Sequence, residues 1–311
     1  FGGGYGSSSP YPEMNILDMV NITTTGDAVD FGDLTVGRSA NGMGGSATRG
    51  IFAAGRFPGP GNAQTTIDFV TFSSGGGANN FGDLHYNACT SAGFSDATRG
   101  IFSGGYEANT SPYPRTFEMG FITIASTGNS NDFGDCVERG RKDTCFSNKT
   151  RGFTVGGNNR IDSPSPNTSH DRIEMTIIQT KGSTVDFGEF GPDNALTGST
   201  NCHGGAASQT RGIIFSGFSS PSAVRNVIEF LTLSTFGNSQ DFGDMLTSGG
   251  SSGSTATGNN VKGVVKTTSA SNGNVLEQVT IATTGNATDF GDLNTGRRLY
   301  GSVCDSHGGL G

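Results

Sequence analysis

The residues of this chain best suited to chemistry are acids that return at a regular spacing. The triplet Phe-Gly-Asp, changed once to Phe-Gly-Glu, occurs six times, and its acids are Asp33, Asp83, Asp135, Glu189, Asp244 and Asp292. Carboxylate pairs such as Asp30 and Asp33 supply the hard oxygen ligands that Ca²⁺ takes in proteins. A ring of calcium sites is therefore one hypothesis, and a structural role of the same acids is the other.

A recurring arginine offers these acids a partner that would make them structural. It stands in the turn sequence Thr-Arg-Gly, at Arg49, Arg99, Arg151 and Arg211, and a fifth copy is reduced to Lys262-Gly263. In an antiparallel meander we expect each arginine to meet a triplet acid on one rim of the unit, or of neighbouring units. A charge-assisted contact there would fasten the rim. The sequence favours this pairing over a metal site, and it predicts no cofactor.

No other group of side chains in the sequence predicts an active site. A second acid recurs once per repeat, at Asp18, Asp68, Glu118, Glu174, Glu229 and Glu277. Six equivalent copies indicate scaffold, because an enzyme carries a unique constellation. Residues 249–253 match Gly-x-Ser-x-Gly but lie in a Gly/Ser tract, not between a strand and a helix. The four histidines form no HExxH motif. We therefore predict no catalytic residue.

The spacing of the triplet decides which elements must position these residues. Its phenylalanines, at 31, 81, 133, 187, 242 and 290, are 50, 52, 54, 55 and 48 residues apart. A period near fifty that fills the chain indicates a repeat architecture. We predict a single domain of six units, at about 1–50, 51–100, 101–152, 153–212, 213–263 and 264–311. Each unit holds four short strands, namely an apolar strand, an alternating acidic strand, the triplet strand and a strand of small residues.

Four short strands in about fifty residues are typical of a β-propeller blade. The order of features resembles the kelch repeat, in which an apolar strand ending in Gly-Gly precedes an acidic strand and, about 13 residues later, an aromatic residue. That aromatic is Phe here, where kelch blades usually have Trp, and the chain contains no Trp. The resemblance implies an all-β, six-bladed propeller with four-stranded antiparallel blades. We expect residues 297–304 to pair with the strand that begins at Phe1 and to close the ring.

Composition excludes several classes of partner. The net charge is −8 and no basic stripe is visible, so we predict no nucleic-acid partner. No apolar run approaches the roughly 20 residues of a membrane-spanning helix.

The five cysteines are odd in number and lack a CxxC motif, which indicates small buried side chains rather than disulfides. The start at Phe1, not Met, indicates a processed chain or part of a longer product.

The connections between the first and second strands of the units are the candidate binding surface. They hold nine of the ten prolines, vary most in length and should all leave the propeller by one face. Such loops suit recognition, although the prolines could equally serve only to stiffen the connections. The candidate contact residues are Tyr11, Arg56, Phe57, Tyr106, Tyr113, Arg160 and His170.

The amino-acid sequence of the repeats also indicates where the protein is found. Segments such as Thr-Arg-Gly-Ile-Phe, together with Asp-Phe-Gly-Asp-Leu, resemble repeat proteins in the virions of tailed phages of marine bacteria. The resemblance implies a non-enzymatic virion component, in a tail fibre, tail tip or capsid decoration. Its expected partners are a host surface glycan or other virion proteins, with a homo-oligomer in the particle left open. The alternatives are a glycan-active enzyme with an axial site and an extracellular or cell-surface bacterial adhesion module.

Overall fold

The described part of the chain is built entirely from β-strands and their connections. The computed structural model describes residues 1–6, 12–39, 41–56, 63–89, 92–105, 116–138, 140, 144–159, 168–191, 200–201, 204–215, 218–219, 223–249, 255–267, 273–298 and 301–306. A search of these residues finds no helix with the length and apolar character needed to cross a membrane.

The strands follow the four-segment pattern of the sequence. In the first half of the chain they are β1 (Tyr5–Gly6), β2 (Ile16–Met19), β3 (Val29–Asp33), β4 (Gly42–Gly45), β5 (Arg49–Ala53), β6 (Gln64–Thr71), β7 (Asn79–Ala88), β8 (Ala92–Ser95), β9 (Arg99–Ser103), β10 (Glu118–Thr123), β11 (Asn131–Asp135), β12 (Thr144–Ser147) and β13 (Arg151–Asn159). In the second half they are β14 (Thr168–Ile177), β15 (Val185–Glu189), β16 (Thr200–Asn201), β17 (Gly204–Ala207), β18 (Arg211–Phe215), β19 (Phe218–Ser219), β20 (Ala223–Thr232), β21 (Gln240–Gly249), β22 (Thr255–Gly258), β23 (Lys262–Lys266), β24 (Val275–Thr280), β25 (Thr288–Asp292) and β26 (Arg297–Arg298).

Five antiparallel meanders form the blades of a β-propeller. They are β4-β5-β6-β7, β8-β9-β10-β11, β12-β13-β14-β15, β17-β18-β20-β21 and β22-β23-β24-β25. The short strands β16 and β19 extend the fourth of these sheets. The innermost strand of each blade is the small-residue strand predicted from the sequence. The all-β class and the four-stranded antiparallel blades are thus confirmed.

The predicted number of six four-stranded blades is wrong, because among the described residues five units form a complete four-stranded sheet. The remaining unit, which we call the terminal unit, comprises β2, β3 and the two end segments of the chain. Gly2 bridges both Leu17 and Gly301, and β1 pairs with β26. The end segments therefore do pair, as expected. The contact between these end segments and β2 is a single bridge, from Gly2 to Leu17.

Backbone hydrogen bonds made by the triplet join each unit to the next. The carbonyls of Phe81 and Asp83 accept from the N–H groups of Gly128 and Ser130, at 2.7 and 2.8 Å. The same pair of bonds recurs from each triplet to the following unit. The last pair runs from Phe290 and Asp292 to Gly26 and Ala28, at 2.8 and 2.7 Å, and closes the ring of units.

The glycine of the triplet is required by both its conformation and its surroundings. Gly134 has φ +143°, and a Cβ there would lie 2.6 Å from the backbone of Gly182 in the next unit. The other five triplet glycines show the same approach at 2.3–2.6 Å. Any side chain at this position would push neighbouring units apart.

We expect Gly134→Ala to destabilise the protein more than Gly128→Ala does. Both glycines have positive φ, which costs an Ala about 1–3 kcal/mol. Only Gly134 has backbone in the way, and overpacking adds about 1–3 kcal/mol, whereas nothing lies within 4 Å of a Cβ on Gly128. Urea unfolding of the two variants measures the difference. Equal losses would show that the close approach contributes nothing.

Candidate functional site

In the second to sixth units, strand register places the strand ends that flank the first-to-second-strand connections on one face of the propeller. In the second unit Arg49 pairs with Thr71 at one end of the sheet, and Ala53 pairs with Ile67 at the other, next to the connection. The third to sixth units repeat this order. We call the end that bears the connections the loop face, and the end that bears the Thr-Arg-Gly turns the turn face.

Two of the seven predicted contact residues lie among the described residues. Arg56 is half-buried on the loop face, bridges Ser39 and Ala63, and places its guanidinium 5.7 Å from the ring centroid of Tyr5. His170 is half-buried in β14 opposite Gly157. They belong to different units. The other candidates lie outside the described residues and stay predictions: Tyr11, Phe57, Tyr106, Tyr113 and Arg160.

The predicted ion pairs between the turn arginines and the triplet acids are wrong. Each arginine donates to a backbone carbonyl of the next unit: Arg49 to Ile124 at 2.8 Å, Arg99 to Ile178 at 2.9 Å, Arg151 to Leu233 at 2.7 Å and Arg211 to Ile281 at 3.0 Å. Three of the guanidinium groups also lie over a phenylalanine ring of their own unit, at 4.4–4.7 Å from the centroid of Phe69, Phe121 or Phe230. The arginines thus fasten units together, through carbonyls and rings.

Register explains why the acids are out of reach. In the second unit Arg49 pairs with Thr71, whereas Asp83 pairs with Thr66, at the opposite end of β6. Five residues of strand separate these positions by roughly 16 Å. The salt bridges of the described residues include none of the triplet acids, namely Asp33, Asp83, Asp135, Glu189, Asp244 and Asp292. Within the described ranges no three His, Cys, Asp or Glu side chains are grouped to hold a metal ion.

The acids of the second strand are buried acceptors at the boundaries between units. Asp68 and Glu174 are at most 1% exposed. Asp68 accepts from the N–H of Thr35 at 3.1 Å, and Glu174 from the N–H of Val137 at 3.0 Å. Gly191 donates to Glu229 in the same way, and Leu246 donates to Glu277. A buried carboxylate needs such donors, so these acids hold neighbouring units in register.

The third unit departs from this pattern, and Glu118 is not the equivalent acid. Gly120, opposite Asp132, occupies the position that Asp68 holds opposite Asn80. The imidazole of His85 fills the space beside Gly120, and the backbone N–H of His85 donates to Ser130 Oγ at 2.9 Å. Glu118 itself is 49% exposed, with Oε2 3.7 Å from Nε2 of His85. Its spacing of 15 residues before the triplet, against 13 elsewhere, was the sequence signal.

Two buried arginines that the sequence did not indicate form ion pairs with second-strand acids. Arg38 Nη2 lies 2.7 Å from Asp68 Oδ2, and Arg297 Nη2 lies 3.0 Å from Asp18 Oδ2, with all four side chains fully buried. Burial lowers the pKa of Arg38, and the charge of Asp68 opposes that shift. Both arginines stand seven residues after a triplet Phe, and this shared spacing is the signal in the sequence that could have indicated them.

The axis of the propeller is narrow and lined by small or uncharged side chains. The inner strands β4, β8, β12, β17 and β22, together with residues 302–304, line an open cavity of about 70 Å³. Ser95 Oγ donates to the Gly45 carbonyl at 2.7 Å, and Ser147 Oγ donates to that of Ser95 at 2.6 Å. The described residues that line this cavity include no Asp, Glu, Lys, Arg or His.

The cysteines of the described residues are free thiols, as the sequence predicted. They are Cys89, Cys136, Cys145 and Cys304. Burial raises the pKa of Cys145 to about 12, although a hydrogen bond with Gly93 opposes the shift. Burial likewise raises the pKa of Cys304, whose Sγ donates to the Gly258 carbonyl at 2.9 Å. Thiols held in this protonated form are poor nucleophiles. Cys202 lies outside the described residues.

Comparison with known proteins gives no match, so the class of this protein is defined by its fold. No family model and no curated protein matches the chain. The fold defines a β-propeller whose recurring polar residues lie within units or at the boundaries between them. The recurring polar residues thus belong to the framework of the ring, and the variable connections of the loop face remain the candidate binding site.

Removal of a buried acid should destabilise the ring strongly. We expect Asp68→Ala to lower the free energy of unfolding by about 3–5 kcal/mol, because it leaves Arg38 charged and unpaired in the interior. Urea unfolding monitored by circular dichroism measures the loss. The double variant Arg38→Met/Asp68→Leu should recover much of it. The pair is not what holds this boundary if Asp68→Ala behaves like the exposed control Asp83→Ala.

The turn arginines should matter to stability while the triplet carboxylates do not. We expect Arg99→Ala to cost about 1–2 kcal/mol, since it removes a bond to the Ile178 carbonyl and a contact with the ring of Phe121. Asp135→Asn should change stability by less than about 0.5 kcal/mol. Thermal unfolding distinguishes the two variants. A double-mutant cycle that coupled Arg99 to Asp135 would restore the rejected ion pair.

Proposed function

We propose that this chain is a non-enzymatic structural and binding component of a virion, in a tail fibre, tail tip or capsid decoration. It presents its loop face to a host surface glycan or to another virion protein. The observation that carries the proposal is the division of the chain into a repeated framework and a variable face. Recurring arginines, acids and glycines lie within the units or bind adjacent units, while the connections that break the repeat leave from one face.

The axis supports a binding role more than a catalytic one. A glycan-active propeller enzyme would need non-repeating acids or arginines that converge on the ring centre. The described residues that line the axis are instead uncharged and include no acid or arginine. The proposal therefore places recognition at the connections and assigns no reaction to the axis.

Strand-end geometry supports a kelch-type blade within this proposal. Two glycines with positive φ follow the apolar strand β9 at Gly104 and Gly105, with φ 66° and 112°, and the pair Gly156 and Gly157, with φ 64° and 139°, forms an irregularity within β13. A buried acid follows on the next strand in five of the six units. The proposed location in a virion rests instead on the resemblance of the repeat sequences to those of phage virion proteins. An experiment on intact particles tests it.

The binding role predicts that loss of charge on the loop face weakens glycan binding. Co-sedimentation of the full chain with acidic bacterial surface polysaccharides measures affinity. Arg56→Ala should weaken it about fivefold or more, since this half-buried cation lies on the loop face. Lys181→Ala, which removes one cation from the opposite face, should leave it unchanged.

The same incubations distinguish the enzyme alternative. New reducing ends or unsaturated sugars that appear with the protein would contradict a non-enzymatic role. Should no polysaccharide bind, cross-linking within intact particles tests the other partner, and the proposal expects cross-links from loop-face residues to another virion protein. Cross-links confined to the turn face, or absence of the chain from particles, would contradict the proposal.

A further inference from the structure

Three exposed apolar side chains lie on the turn face at the boundary between the fourth and fifth units. Phe236 is 61% exposed, Val185 is 46% exposed and Ile177 is 41% exposed. Ile177 ends β14, Val185 begins β15, and Phe236 lies in the turn that follows β20. We call these three side chains the apolar patch. Single exposed apolar residues are ordinary, whereas a contiguous group marks an interaction site.

Strand register and ring stacking place the members of the apolar patch next to one another. Val185 pairs with Met175, and Ile177 stands two residues beyond Met175 on the same side of β14. The ring of Phe236 lies over that of Phe187, with the centroids 5.0 Å apart, and Phe187 is two residues after Val185 in β15. Met175 and Phe187 belong to the buried cluster between these two units. The apolar patch therefore continues the core to the surface.

The framework of the ring does not require apolar residues at these three positions. In the other complete blades a threonine takes the place of Ile177, namely Thr71, Thr123, Thr232 and Thr280. A polar residue takes the place of Val185, namely Asn79, Asn131, Gln240 and Thr288. Small or polar residues take the place of Phe236 before the turn glycine, namely Thr25, Gly75, Thr127, Lys181 and Thr284. Three departures from the repeat at one boundary indicate a role outside the framework.

The turn arginine of the fourth unit adjoins the apolar patch. Arg151 pairs with Ile177, and its Nη1 donates to the Leu233 carbonyl at 2.7 Å. Three of its counterparts lie over a phenylalanine ring, but Met175 stands at that place here. None of the salt bridges among the described residues involves Arg151. A half-buried guanidinium with further N–H groups to donate thus borders the exposed apolar side chains.

These surroundings favour an acidic segment of a protein as the occupant. A guanidinium binds a carboxylate with paired, charge-assisted hydrogen bonds. The acid beside Val185 in the sequence is Asp186, which pairs with Glu174 and has its Oδ2 3.7 Å from Nη1 of Arg172. A glycan fits less well, because its hydroxyl groups need hydrogen-bond partners and the side chains of the apolar patch offer none.

We propose that the apolar patch and Arg151 form a docking surface for a partner protein that presents an aromatic or aliphatic side chain beside Asp or Glu. The partner's apolar side chain would cover the ring of Phe236, and its carboxylate would accept from the guanidinium of Arg151. An aromatic residue beside an arginine has the composition of an interface hot spot. Because this surface lies opposite the loop face, a chain docked here keeps its loop face accessible. The proposal does not depend on glycan binding.

Selection from a displayed library of random peptides on the full chain tests the proposal. The counter-selection uses the triple variant Ile177→Thr/Val185→Asn/Phe236→Thr, which should fold because each new residue occurs at the same place in another unit. We expect peptides that bind the unaltered chain alone and that carry Phe, Leu or Ile beside Asp or Glu. Enrichment of Lys or Arg instead, or no peptide that distinguishes the two proteins, would overturn the proposal.

Single variants locate the contact through fluorescence anisotropy of the strongest selected peptide. Phe236→Thr should weaken binding about tenfold or more, because it removes the aromatic anchor. Leu246→Thr is the matched control, since Leu246 is 59% exposed on another blade, and it should leave binding unchanged. Replacing the peptide's acid by its amide should weaken binding about fivefold or more. Equal affinities of the two protein variants, or of the two peptides, would contradict the proposal.

Titration with sodium polygalacturonate distinguishes a glycan at the same surface. We expect the unaltered chain and the triple variant to bind this polysaccharide equally, because the substitutions leave the loop face intact. Binding that the triple variant alone has lost would assign the apolar patch to a glycan and overturn the proposal of a protein partner. Loss of glycan binding in Arg56→Ala leaves this proposal unaffected, so the failures of the two proposals are distinguishable.

Discussion

The structure depends on a pair of backbone hydrogen bonds that joins the Phe-Gly-Asp segment of each unit to a glycine turn in the next. The bonds require two backbones to approach until no Cβ fits between them, which explains the glycines at Gly82 and Gly134. Backbone atoms make the contact, so the acid of the triplet is free to remain exposed. Repetition of this contact through all units, including Phe290 to Gly26, positions every other element.

Charges buried at the unit boundaries add specificity to that contact. Each carboxylate in the interior must be matched by donors from the neighbouring unit, so a shift of one unit against another would leave it unsatisfied. Asp68 meets Arg38 and the N–H of Thr35 in this way, and Glu174 meets that of Val137. Where the acid is missing, at Gly120, another side chain occupies the space. These sites therefore belong to the framework, although their residue types would suit catalysis.

Function in such a molecule must come from positions that the ring does not use. The described residues that line the axis are uncharged, and the turn face carries the arginines that bind neighbouring units. The connections between the first and second strands differ between the units in composition and length, which suits recognition of a large or variable partner.

The sequence by itself determined the period, the β class and the four strands of each unit, because glycines, alternation and the triplet recur at fixed offsets. It also predicted a structural role for the second-strand acids, which holds for five of the six but not for Glu118, and it predicted no disulfides, in agreement with the four described cysteines. Only the tertiary structure decided which residues meet. Strand register separates Arg49 from Asp83 at opposite ends of β6, and it places Gly120, not Glu118, at the position equivalent to Asp68. The sequence also predicted that the two end segments pair, but the number of complete blades was decided only by contacts between parts of the chain that are distant in the sequence.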